Sequence, residues 1–177
     1  MVFAHDTVNS LRAAVDLVNA EEPPLTLTTT AELDAFLVRH GYTGRHDGTE
    51  TELARVRALA PRLRGLLLAS RDEAAEQVNR LLEQAGAAPR LVRHEGQDWH
   101  VHAVSPDAPL DDRIVVETAM AMIDVVRADE HSRLALCADA DCQGLVLDLS
   151  RNRSRRYCST ACTNRNAQAA LRARRAG

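Results

Sequence analysis

The four cysteines fall in two close pairs, Cys137-x4-Cys142 and Cys158-x3-Cys162, with fifteen residues between the pairs. Zinc takes four ligands in a tetrahedron, and two cysteines separated by two to four residues can wrap one edge of it. Cys158 and Cys162 are one helical turn apart, so both sulfurs can share a face at the start of a helix. The run that follows, 164–174, is rich in Ala, Gln and Arg and favours helix. A helix N-terminus also lowers a thiol pKa, which favours the thiolate that zinc requires. Two disulfides or four unrelated thiols are the competing readings. Disulfides are disfavoured in the reducing cytoplasm expected here, and unrelated thiols have no reason to pair at both ends of one segment. A piece of about forty residues with few large apolar side chains also needs a staple to hold a shape. One structural zinc per chain, on Cys137, Cys142, Cys158 and Cys162, is therefore expected.

Charge divides the chain at the same place. From Arg151 to Gly177 there are eight arginines and no acidic residue. The preceding 150 residues hold fourteen arginines and all 25 acidic residues, an excess of eleven negative charges. Four thiolates with one zinc subtract two, leaving the tail at about +6. No run approaches the roughly 18 apolar residues of a membrane span, and the first residues lack the basic and apolar regions of a signal peptide. A cytoplasmic location is the expectation.

The segment before the cysteines reads as mainly helical. A capping-box pattern, in which a hydroxyl and a Glu three residues on satisfy each other's backbone N–H groups, recurs at Thr29…Glu32, Thr49…Glu52 and Ser70…Glu73. Each precedes an apolar-periodic run, and an earlier helix is expected over 7–20. Pro61 would cost about 3 kcal/mol inside a helix, so a kink or break is expected after Ala60. Residues 90–94 and 99–104 read as strands of a hairpin turning through 95–98. A last helix, from Asp111 or Asp112 to about Ala128, is apolar almost all round, as a central core helix or one shared with a second subunit would be. The fold class expected is α+β, mainly α. A helical domain with one small hairpin over 1–130 precedes a treble-clef-like finger over 131–177, with 145–149 and 153–157 as its two strands.

The stretch Cys137-Ala-Asp-Ala-Asp-Cys142, then 147–159 as Leu-Asp-Leu-Ser-Arg-Asn-Arg-Ser-Arg-Arg-Tyr-Cys-Ser, then Cys162-Thr-Asn-Arg165, closely resembles the CGNR zinc finger. That resemblance implies four zinc-binding cysteines in a DNA-binding element of bacterial transcription regulators. The N-terminal part, with Val15-Asp16-Leu17-Val18-Asn19 on its first helix, resembles the ABATE domain, which implies a stress-induced transcription regulator. Three positions depart from the motif. Thr163 replaces its glycine, Ala167 stands where a lysine is common, and Gly144-Leu145 stands where aromatics often occur.

A zinc-dependent, nucleic-acid-binding regulator is the functional expectation, with DNA as partner. In a strand, alternate residues share a face, so Arg151, Arg153 and Arg155 are expected in one row, joined by Arg156 and, on the helix, by Asn164, Arg165 and Arg172. Arginine forks suit phosphate oxygens. About five of them neutralising phosphates would give log K against log salt a slope of about −4.5. The alternative is a protein-interaction finger whose basic tail docks acidic surfaces, the chain's own first domain included. Asp148 is read as a hairpin residue holding Arg155 or Arg156, with Ser150 capping the turn. The N-terminal domain is expected to act as a sensor of a small-molecule effector or as a dimerisation module through 112–128. No hydrolase motif or phosphate-cradling loop occurs. His100, His102 and His94 read as a half-exposed face rather than a catalytic metal site, so no enzyme is expected.

Overall fold

The computed structural model describes residues 3–93 and 99–176. Helices dominate: α1 (His5–Ala20), α2 (Thr30–His40), α3 (Glu50–Arg57), α4 (Ala60–Leu67), α5 (Arg71–Gln84), α6 (Leu110–Ala128) and α7 (Thr160–Ala176). Two hairpins complete it, β1 (Arg90–Val92) with β2 (His100–His102) and β3 (Leu134–Leu136) with β4 (Leu145–Leu147), both antiparallel. The mainly helical α+β class is as the sequence predicts. His94 and the turn expected over 95–98 lie outside the described residues.

The caps explain several boundaries. The Thr29 and Ser70 hydroxyls each accept from the backbone N–H of the Glu three residues on, and each Glu carboxylate accepts from the cap's backbone N–H, giving full capping boxes. Thr49 makes half of one. Its hydroxyl takes the Glu52 N–H, but the Glu52 carboxylate is buried and accepts from the Asp47 and Gly48 amides instead. Pro61 acts earlier than expected. The chain leaves helix after Arg57 and restarts at Ala60, so the proline sits in the first turn of α4, where its missing N–H costs nothing.

The core is built around α6 and α1. Residues of α6 including Leu110, Ile114, Val115, Ala119, Met122 and Val125 are buried within this one chain. The apolar girth of α6 is thus accounted for by its central position. Arg113 is buried as well. Its guanidinium donates to the carbonyls of Thr43, Arg45 and Ala108, which gives the buried cation its partners.

That core continues past residue 130. Alternation in β4 sends Leu145 and Leu147 toward the helices, where they join the main core with Leu134. Val146 faces the other way and packs on Cys137 and Cys162. One three-residue strand thus glues two apolar clusters together. Among the described residues no helix is long and apolar enough to cross a membrane.

Candidate metal centre and basic surface

The β3–β4 hairpin carries the first cysteine pair at its tip. Cys137 extends the ladder by donating its N–H to the Gly144 carbonyl at 2.8 Å, and the chain turns back at Asp139, whose carbonyl accepts from Cys142 N at 3.0 Å. Cys158 lies two residues before α7, and Cys162 sits in its first turn. All four sulfurs lie within 4.8 Å of one another, with 3.5 Å between Cys142 and Cys158 and 3.8 Å between Cys158 and Cys162. Four sulfurs at about 2.3 Å from a zinc ion are about 3.8 Å apart. A disulfide would need about 2.05 Å. The sulfurs have the spacing of a tetrahedral site and are too far apart to be bonded in pairs. Cys137, Cys142, Cys158 and Cys162 are able to hold one zinc ion, and among the described residues they form the one such cluster.

The surroundings penalise two of the sulfur anions, a cost that a shared cation would offset. Burial pushes the Cys158 thiol well above its usual range, and neighbouring sulfurs add to that. Burial also raises Cys142. Burial acts on Cys137 in the same sense but is outweighed by backbone N–H donors, and its thiol is drawn down. Cys158 N donates to Cys137 Sγ at 3.4 Å and Gly144 N to Cys142 Sγ at 3.3 Å. Gly144 also leaves room: a Cβ there would lie 2.9 Å from Cys158 Sγ and 3.3 Å from Cys142 Sγ and Asn19 Oδ1. A larger residue at this departure from the motif would have no space.

Asn19 was not singled out from the sequence. At the last turn of α1 its amide brackets Leu145, donating to the carbonyl at 2.9 Å and accepting the N–H at 2.6 Å. Arg64 adds a bond to the Gln143 carbonyl while pairing with Glu22. These contacts tie the zinc hairpin to the helical domain. The sole sequence cue was that Asn19 ends the Val-Asp-Leu-Val-Asn run.

The arginines do not form the expected row. Residues 151–157 are not a strand, and Arg153 adopts φ +47°, which breaks any alternation. Asp148 is the physical reason. Its carboxylate takes the backbone N–H groups of Ser150 and Arg155 at 2.8 Å each, curling the segment into a loop. Burial works against that carboxylate, yet these donors and Arg133 hold it below the usual range. Asp148 is thus a structural residue, though it holds the Arg155 amide rather than a guanidinium. Ser150 Oγ accepts from Ser154 N, as a turn cap should.

Three predicted contacts have partners inside the protein. Arg153 pairs with Glu130 at 2.9 Å and bonds Ser132. Arg155 donates to the carbonyls of Tyr157 and Cys158. Arg165 pairs with Asp139 at 3.2 Å and approaches Cys162 Sγ. Arg151, Arg156, Asn164 and Arg172 are exposed. Along α7 every side chain from Thr160 to Arg175 is exposed except Cys162 and Asn166. Thr163 lies in the first turn of α7 without a left-handed backbone, so its replacement of glycine costs nothing there.

At the far end of the helical domain, His100 and His102 approach at 2.9 Å between their Nε2 atoms and line a cavity.

Comparison with known families gives two matches in chain order. Residues 11–129 match the ABATE family, described as "Putative stress-induced transcription regulator". Residues 133–175 match the CGNR zinc finger. Among curated proteins none matches the chain.

Proposed function

Since the chain belongs to the ABATE family and carries a C-terminal CGNR zinc finger, we propose that it is a zinc-dependent regulator that binds DNA through the finger and senses a small molecule through the helical domain. The observation that carries this reading is the outer face of the finger. A seventeen-residue helix starts at the zinc ligands, stands exposed to solvent, and continues a segment with eight arginines and no carboxylate. Arg151, Arg156, Arg172, Arg174 and Arg175 point their charge outward, and Asn164 adds a neutral donor at the helix start. Phosphate contacts of this kind position a protein on a duplex. In the reading, Arg153, Arg155 and Arg165 shape the finger first, and any part they take in binding is secondary.

A second reading has one observation in its favour. Arg153 and Arg165 already pair with carboxylates of the same protein, so the finger could equally dock acidic protein surfaces. Salt separates the two. With five phosphates neutralised, log K for DNA falls against log salt with a slope of about −4.5, roughly 500-fold between 50 and 200 mM. Replacing Arg151, Arg156 and Arg172 together by Ala reduces the slope to about −1.8. Fluorescence anisotropy of a labelled duplex with the zinc-loaded protein measures both. A flat salt dependence, or an unchanged slope in the triple variant, rejects the DNA reading. The reading assigns no catalysis, because four thiolates fill the coordination sphere of zinc and leave no position for a reacting water. It takes one chain as the unit, since the helix over 112–128 is used in the chain's own core.

A further inference from the structure

A cavity of about 670 Å³ opens between the start of α1, the end of α2, strand β2 and the outer side of α6. That volume is in the range of sites for small organic ligands, roughly 300–1,000 Å³. Ala4, Val101, Met120, Ala121 and Ile123 give it an apolar wall. Polar groups converge on it from α1, the end of α2, β2 and α6, with His5, His40, His100 and His102 among them. The Tyr42 hydroxyl is buried and has no hydrogen-bond partner among the described residues. An unpaired buried hydroxyl costs about 1–3 kcal/mol, which a ligand could recover.

The charge balance of the lining selects the ligand. Asp6, Glu117 and Asp124 face the cavity, against Arg127 as its sole guanidinium among the described residues. Asp6 accepts from the Thr7 N–H at 2.9 Å, and Asp124 from the Thr7 hydroxyl at 2.6 Å. Both carboxylates are partly occupied by these bonds. Glu117 differs, because no hydrogen bond joins it to any described residue. Burial pushes its carboxyl up to about 7, with Arg113 one turn away pulling in the opposite sense. Its charge also reaches Tyr42, whose hydroxyl is raised chiefly by burial and then by Glu117. An unpaired carboxyl and an unpaired hydroxyl that sense each other, beside an apolar wall, match a positively charged donor carried on an apolar body.

We propose that this cavity is the effector site and that its ligand is a small organic amine, with its ammonium between Glu117 and the Tyr42 hydroxyl and its apolar body against Met120 and Ile123. The proposal rests on the sensor half of the reading above. Two helices connect the cavity to the finger. The first turn of α1 lines the cavity and its last turn holds Leu145 through Asn19. Glu117 and Asp124 lie on α6, and Glu130, just past its end, pairs with Arg133 and Arg153.

Titration calorimetry of the zinc-loaded full chain with three indole probes of similar shape tests this. Tryptamine is a cation, tryptophol is neutral and indole-3-acetate is an anion at neutral pH. Tryptamine is expected to bind at least about ten-fold tighter than tryptophol, consistent with one charge-assisted hydrogen bond, and indole-3-acetate weakest. Glu117→Gln and Tyr42→Phe should each weaken tryptamine about ten-fold. Ile123→Trp, which fills the cavity from the apolar side, should abolish binding of all three. Absence of tryptamine binding in the millimolar range, preference for the anion, or full tryptamine affinity in Glu117→Gln overturns the proposal. Loss of salt-steep DNA binding with tryptamine binding intact would instead reject the DNA reading alone.

Discussion

A single methyl group at Gly144 would press on two zinc ligands and on Asn19 at once. Gly144→Ala is therefore expected to weaken zinc binding by about 1–3 kcal/mol, the usual cost of overpacking, roughly ten- to hundred-fold in a chelator competition. An unchanged affinity would mean that the hairpin tip yields freely. The zinc ligands themselves were legible from spacing, because a tetrahedron sets short-range rules that a sequence can display. Asn19 was not, because its partner is 126 residues away and an Asn near a helix end looks like any exposed polar residue. Glu117 was equally hidden, as one of four acidic residues in α6. Its raised pKa favours the protonated folded state. Its share of stability is present below the unfolded value near 4.5 and is lost as pH rises toward 7. In Glu117→Gln that decline should be absent, so the variant gains on the parent across this interval. Denaturant melts from pH 4.5 to 7 measure it, and parallel profiles for the two proteins would contradict the buried carboxyl.

At the level of elements, the predicted helices follow from caps and periodicity, and the two full capping boxes lie where the sequence places them. Pro61 marked a real interruption, but the sequence could not say whether it would break one helix or begin the next. The strand expected over 153–157 fails for a reason no periodicity reveals: Asp148 binds two amides that a strand would have needed. Helix α7 has little packing to hold it. An isolated helix of its length is marginal in water, and from Thr160 to Arg175 Cys162 is its one buried residue. The ion at its first turn is its anchor. Cys158→Ser should lose zinc and the helicity of α7 together, while near-ultraviolet and thermal signals of α1–α6 persist. Far-ultraviolet circular dichroism with metal analysis reports both. A metal-free variant that keeps α7 fully helical would show that the helix stands alone.

On the scale of the whole molecule, an acidic helical body carries a basic finger, and the two are joined more tightly than their opposite charges suggest. Leu134, Leu145 and Leu147 sit in the core of the body, and Glu130 holds arginines of the finger. The charge partition was plain in the sequence. The shared core was not, since three leucines in a short strand do not announce which neighbour they face. Everything proposed for the basic surface depends on one ion fixing the hairpin and α7 in place. X-ray absorption at the zinc edge of the purified full-length protein tests this most directly. The account predicts one zinc per chain with four sulfur neighbours at about 2.3 Å. Nitrogen or oxygen in the first shell, or substoichiometric zinc in a protein whose finger is fully folded, would contradict it.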